Sequence, residues 1–159
     1  MNSPQQGVPF TPQYPVAAPP PGGSTIEIAP GVRWLRMPLP FALDHINLWM
    51  LDEGDGWTLI DCGLNSQPTR ENWERIFSQG LGPRPVKRLI VTHHHPDHVG
   101  LAGWLVERFG VPMWLTAGEY LVCLAAYNGS AGYSVEPVAD LFRAHGLDDA
   151  CEPVGELGR

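Results

Sequence analysis

Residues 91–100 read "VTHHHPDHVG" and hold four of the six histidines of the chain. The apolar run that leads in, "VKRLIVTH" (86–93), predicts a strand, buried on both sides. The run that leads out, "HVGLAGWLVERFG" (98–110), sets Val99, Ala102, Leu105 and Val106 on one helical stripe, with Gly110 as its C-cap. The histidines therefore occupy a loop at the carboxyl end of a strand, where open α/β sheets carry their ligands. His93 and His95 are two apart, so on extended backbone they project to the same side. Pro96 restricts the chain between them and Asp97 and His98, which follow as it turns into the helix. Two nitrogens aimed together, then an oxygen and a nitrogen aimed nearby, make two half-shells for metal ions. Neutral imidazole and carboxylate suit Zn²⁺, and also Fe or Mn. The competing assignment of Asp97 as a helix N-cap leaves the imidazole density unexplained, because repulsion between imidazolium groups would be a pure cost. His94 faces away from the pair and is read as a bystander or as a support for a ligand.

Outward from this loop the chain divides into recognisable pieces. Residues 1–23, "MNSPQQGVPFTPQYPVAAPPPGG", carry no charged side chain and no apolar period, which predicts a disordered leader. "TIEIAP" (25–30) and "GVRWLRMP" (31–38) alternate as strands. "HINLWMLDEGDGWTLIDCG" (45–63) predicts a hairpin whose Asp55–Gly56 supplies the positive φ angles of the turn. "NSQPTRENWERIFSQG" (65–80) predicts a helix with Ser66 as N-cap, Pro68 in its first turn, Trp73, Ile76 and Phe77 on one face, and Gly80 at its end. "VPMWLT" is a further short strand, and "AGEYLVCLAAYNG" and "EPVADLFRAHG" are further helices. The last residues, 147–159, have no usable period. Hairpins followed by β-α-β-α predict an α/β (α+β) domain with a mixed sheet and covering helices over residues 24–146.

Composition narrows the partners. The chain has 159 residues, enough for one ordinary domain, and 43% of them are hydrophobic. Ten basic side chains face 17 acidic ones, a net charge of −7, so general binding to nucleic acid is not expected. No apolar run approaches the roughly 18 residues of a membrane span, and no secretory signal opens the chain. Cys62, Cys123 and Cys151 are odd in number and widely spaced, which predicts free thiols in a cytoplasmic protein.

"THHHPDH" (92–98) resembles the T-H-x-H-x-D-H signature of the metallo-β-lactamase superfamily. "INLWML" (46–51) and "TLIDCG" (58–63) resemble that family's early Asn-containing strand and its strand ending in Asp-x-Gly. The resemblance covers residues 24 to 130 and implies the first half of an αβ/βα sandwich with a metal site at one edge. It implies His93 and His95 as ligands of a first metal and Asp97 and His98 as ligands of a second. Asp61 would orient the loop and an imidazole by hydrogen bonding. It also implies two Zn²⁺ ions in the complete domain, and hydrolysis of a carbonyl ester, thioester, lactone or lactam by metal-activated hydroxide, with Asp97 helping to orient the nucleophile. Cys62 is read as a small buried residue with no catalytic part.

The resemblance further calls for a third His, a bridging Asp and a last His downstream. After His98 there is one histidine, His145, placed before Gly146 where a helix C-terminus favours it for structural reasons. The chain thus supplies the first half of such a site, and 147–159 is expected to be a point of truncation. His45 is expected to be a hydrogen-bonded surface group and Asn47 a tie between strands. Two alternatives stand beside the small-molecule hydrolase. One is a mononuclear-iron sulfur dioxygenase of the same superfamily, with a nuclease ranked below it on charge. The other is an inactive metal-binding half-domain with an exposed sheet face.

Overall fold

A computed structural model describes residues 12–79, 81–130, 132 and 135–146. Six strands form one sheet in chain order: β1 (Ile26–Ala29), β2 (Val32–Pro38), β3 (His45–Asp52), β4 (Trp57–Ile60), β5 (Val86–Ile90) and β6 (Met113–Trp114). The first four run antiparallel, as a meander. β4, β5 and β6 are mutually parallel. Their crossovers are α1 (Gln67–Gln79), then the short α2 (Pro96–Val99) with α3 (Ala102–Phe109). α4 (Ala117–Tyr127) and α5 (Val135–Ala144) follow β6.

Alternation along the strands sorts side chains between two faces. Leu35, Met37, Leu48, Met50, Leu59 and Leu89 are fully buried on one of them. There they pack with Trp73 and Ile76 of α1 and Leu105 of α3. The Trp73 indole also donates to the carbonyl of Cys62 at 2.8 Å, so the largest core side chain leaves no polar atom stranded.

The other face carries a single row across all six strands. Ile26 pairs with Trp34, Trp34 with Trp49, Trp49 with Ile60, Ile60 with Ile90 and Ile90 with Trp114. Trp34 and Trp49 stack, and the guanidiniums of Arg36 and Arg88 lie over Trp34 and Trp114. None of these six residues is buried. This corrects the expectation for β5. Val86, Leu89 and Val91 are buried, but Arg88 and Ile90 are half-exposed, because α1 and α3 cover the opposite face.

Two local expectations also change. The positive φ of the β3–β4 turn falls on Gly54 (φ 83°), whose amide donates to Asp52, and not on Asp55–Gly56. Gly56 serves a different need, since a Cβ there would lie 2.7 Å from the Pro85 carbonyl at the entry to β5. The helix expected to run unbroken from His98 is split. At Gly100 a Cβ would sit 2.7 Å from the Asn65 amide, and Leu101 N donates to Gly63 O at 3.1 Å. The break lets the chain lie directly on the segment that leaves β4.

α1 matches its sequence signals: Thr69 N donates to Ser66 Oγ, and Trp73 and Ile76 are buried. Its expected end, Gly80, lies outside the described residues, as do the leader's residues 1–11 and the tail 147–159. Within 12–23, Pro20 and Gly23 are buried, and Gly22 and Gly23 approach Asn72 and Arg75 of α1. Among the described residues no helix is long and apolar enough to cross a membrane.

Candidate metal centre

β4 and β5 are parallel neighbours, so the segments leaving them emerge at the same end of the sheet. Asp61 N donates to Ile90 O at 2.8 Å, and Val91 N donates to Trp114 O of β6 at 2.9 Å. The histidine loop is thus flanked by Asp61–Gly63 on one side and the approach to α4 on the other.

Asp61 is almost fully buried and has φ 61°, the only positive φ of a non-glycine among the described residues. That backbone costs an L-residue about 1–2 kcal/mol, less for Asp than for most. Its carboxylate is fully used: Oδ1 accepts from Thr92 N at 2.7 Å, and Oδ2 accepts from Thr92 Oγ1 and from His98 Nδ1, each at 2.8 Å. A carboxylate only accepts here, so His98 carries a proton on Nδ1, and in its neutral form the ring presents its lone pair at Nε2.

The same reasoning reaches His93. The single hydroxyl proton of Thr92 goes to Asp61, so at 3.0 Å His93 Nδ1 is the donor to Thr92 Oγ1. His93 also presents Nε2 as a lone pair. Burial, followed by the neighbouring His98 and His95, holds its pKa below the usual imidazole value. A neutral ring is the form that ligates a metal.

The rings of His93 and His98 have centroids 3.8 Å apart, and those of His93 and His95 are 4.5 Å apart. Asp97 Oδ2 lies 3.7 Å from His98 Nε2. The structure thus gathers His93, His95, Asp97 and His98 at one strand end. Asp97 sits inside the first turn of α2; His95 occupies the N-cap position, with no side-chain cap bond. Among the described residues no group of three or more His, Cys, Asp or Glu side chains is arranged to hold an ion. The four residues are of the nitrogen and oxygen donor types that suit a divalent ion, and hydrogen bonds orient the rings of two of them, His93 and His98.

The remaining candidates lie elsewhere in the bonding pattern. His94 is bound through Nδ1 to Glu119 at 2.6 Å. His45 is bound to the adjacent Asp44. Asn47 accepts from Trp34 Nε1 and Arg36 Nε, tying β2 to β3. His145 is exposed at the end of α5, before Gly146 in the left-handed region. The Cys62 thiol is buried, and burial pushes its pKa far up, so it is no nucleophile at neutral pH. Its amide and thiol both donate to His98 O at 2.9 Å, which locks α2 to the end of β4.

Sequence reading missed two participants. Thr92 is legible only as part of the motif, and its hub role appears once Asp61 is in place. Glu119 is 25 residues from His94 and reads locally as a capping residue, Thr116-x-x-Glu119.

The family model described as the metallo-beta-lactamase superfamily matches residues 42–145. A beta-lactamase domain protein from Burkholderia ambifaria is 49% identical with a TM-score of 0.72, over 84% of this chain and 40% of that one. A metallo-beta-lactamase family protein from Thermus thermophilus is 30% identical with a TM-score of 0.62, over 77% of this chain and 40% of that one. Among curated relatives, a probable metallo-hydrolase of Bacillus subtilis is 34% identical over 68 residues, 42% of this chain and 21% of its own. A ribonuclease Z of Streptococcus thermophilus is 37% identical over 62 residues, 38% of this chain and 18% of its own. The matched region spans two fifths of these solved structures and about a fifth of these curated relatives.

Proposed function

Because this chain belongs to the metallo-β-lactamase superfamily, we propose that it supplies the first set of ligands of a metal-dependent hydrolase. His93 and His95 hold one divalent ion, and Asp97 and His98 contribute to a second. Zn²⁺ is the leading ion, with Fe or Mn as alternatives for the same nitrogen and oxygen donors. The observation that carries this reading is the Asp61–Thr92 network, which turns the Nε2 lone pairs of both His93 and His98 outward.

Bound there, a divalent ion supplies Lewis acidity, which lowers the pKa of water from 15.7 to about 7 and polarises a carbonyl or phosphoryl oxygen. The chain's own residues do the rest. Asp61 fixes the proton of His98 on Nδ1, Thr92 fixes that of His93, and Asp97 orients the attacking water as a hydrogen-bond acceptor. No Ser or Cys nucleophile is needed, which agrees with the buried, proton-retaining Cys62.

The substrate class we favour is a small-molecule ester, thioester, lactone or lactam, on the strength of the net charge of −7. A phosphodiester is the second reading, favoured by the likeness to a protein named ribonuclease Z. We place the protein in the cytoplasm on its dispersed cysteines, of which Cys62 and Cys123 are free thiols.

The test is metal titration followed by assay. Zinc, iron and manganese are titrated into the chain, and uptake is expected for the wild type and lost in His93→Ala. A chromogenic lactam, a thioester, a lactone and a bis-aryl phosphodiester are then offered to the metal-loaded protein. Turnover of the carbonyl substrates supports the first reading, and turnover of the phosphodiester alone replaces it with the second. Absence of uptake of all three metals removes both.

A further inference from the structure

A carboxylate of α4 is committed to the histidine loop. Thr116 is the N-cap of α4, and its hydroxyl accepts from Glu119 N at 3.3 Å. In the usual reciprocal box the Glu three residues on returns its side chain to the cap's own amide. Here Glu119 does not do so. Its Oε2 accepts from the backbone amide of His94 at 2.9 Å and pairs with His94 Nδ1 at 2.6 Å. One oxygen thereby clasps both the main chain and the ring of the same residue. That diversion forgoes a local helix bond for a tertiary one.

The effect passes along the loop. His94 lies between His93 and His95, and its ring meets that of His95 edge-on at 4.9 Å. Holding the His94 amide and ring from the α4 side fixes the stretch of backbone that joins His93 to His95. Asp61 and Thr92 brace the same loop from the β4 side. Among the described residues no hydrogen bond holds the His95 side chain as others hold those of His93 and His98, so Glu119 is the side-chain brace on the α4 flank of the loop.

We infer that Glu119 is a positioning residue: with His94 it forms a clamp that sets the conformation of the ligand loop and so raises its affinity for a metal ion that Glu119 itself does not touch. This rests on the reading of His93, His95, Asp97 and His98 as ligands. The clamp requires an acceptor at the reach of a Glu side chain and does not require its charge, so a Gln should serve where an Ala cannot.

The experiment uses the whole 159-residue chain. Zinc affinity is measured by chelator competition, and amide exchange at His94 is followed by NMR without metal. Glu119→Ala is expected to weaken zinc binding about tenfold, as outer supports of metal sites do, and to expose the His94 amide to fast exchange. Glu119→Gln is expected to restore both to near wild-type values. Thr116→Ala removes the cap alone and should leave both unchanged, which separates the clamp from helix stability. Equal His94 exchange in wild type and Glu119→Ala overturns the clamp, as does a zinc affinity that Thr116→Ala lowers as much as Glu119→Ala. A wild-type chain that protects the His94 amide but takes up no zinc sinks the ligand assignment and the affinity effect, while the loop conformation is still set by Glu119.

Discussion

The two faces of the sheet are built from the same strands and meet different fates. On one, Leu35, Met37, Leu48, Met50, Leu59 and Leu89 are sealed under α1 and α3. On the other, the row from Ile26 to Trp114 is just as apolar and remains half-exposed, with Trp114 at 53%. The strands do not distinguish the faces by hydrophobicity. What distinguishes them is which crossovers cover them, and the buried face is where stability resides. The histidine loop sits at the strand ends between the two, so its geometry depends on hydrogen bonds more than on core packing.

That contrast is open to attack, most strongly at the core. Trp73→Ala should cost about 3–5 kcal/mol, the usual range for a large aromatic removed from a sealed core. Urea denaturation would report it as a lower midpoint. The cost should exceed that of Trp49→Ala severalfold, and equal costs would show the open face to be as structural as the closed one.

At the boundary between the faces, Asp61→Ala removes the acceptor of Thr92 N, Thr92 Oγ1 and His98 Nδ1 together. Zinc affinity should fall about 10- to 100-fold, as for other outer supports of metal ligands. Competition titration checks it, and an unchanged affinity would mean that the loop does not need its β4-side brace.

Trp49→Ala on the open face forfeits the stack on Trp34 and should cost about 1 kcal/mol, within the range for a single aromatic pair. The same denaturation series measures it.

The smallest expected effect concerns pH. His93 has a folded pKa below its unfolded value, so the unfolded chain binds the extra proton first. Stability is therefore unaffected by His93 above about pH 6.5, the unfolded value. It declines as pH falls below that, until the folded-state pKa is passed. His93→Gln should flatten this part of the stability profile, and an identical slope in both proteins would place the loop's acid sensitivity elsewhere.

Much of the fold was legible because local chemistry and tertiary outcome agree. Ser66 caps α1, Gly110 ends α3 in the left-handed region, and alternation in "INLWML" puts Ile46, Leu48 and Met50 inside. The clustering of the candidate site was legible for the same reason: His93, His95, Asp97 and His98 are neighbours in the chain and stay together at one strand end. Where expectation failed, a neighbour distant in sequence decided. The helix from His98 breaks at Gly100 because Asn65 and Gly63 lie against it. β5 shows a half-exposed face because helices pack on one side only. The part played by Glu119 went unseen because its partner, His94, is 25 residues away.

The sequence alone determined that a mixed sheet would form and that His93, His95, Asp97 and His98 would follow one of its strands, because side-chain chemistry, helix caps and strand alternation are local properties. Only the tertiary structure decided how those residues are held. The proton positions on His93 and His98, the strained backbone of Asp61 and the commitment of Glu119 to His94 arise where segments far apart in the chain share one hydrogen-bond network. A network of that kind has no signature in the spacing of any single segment, since each bond depends on where another strand or helix ends.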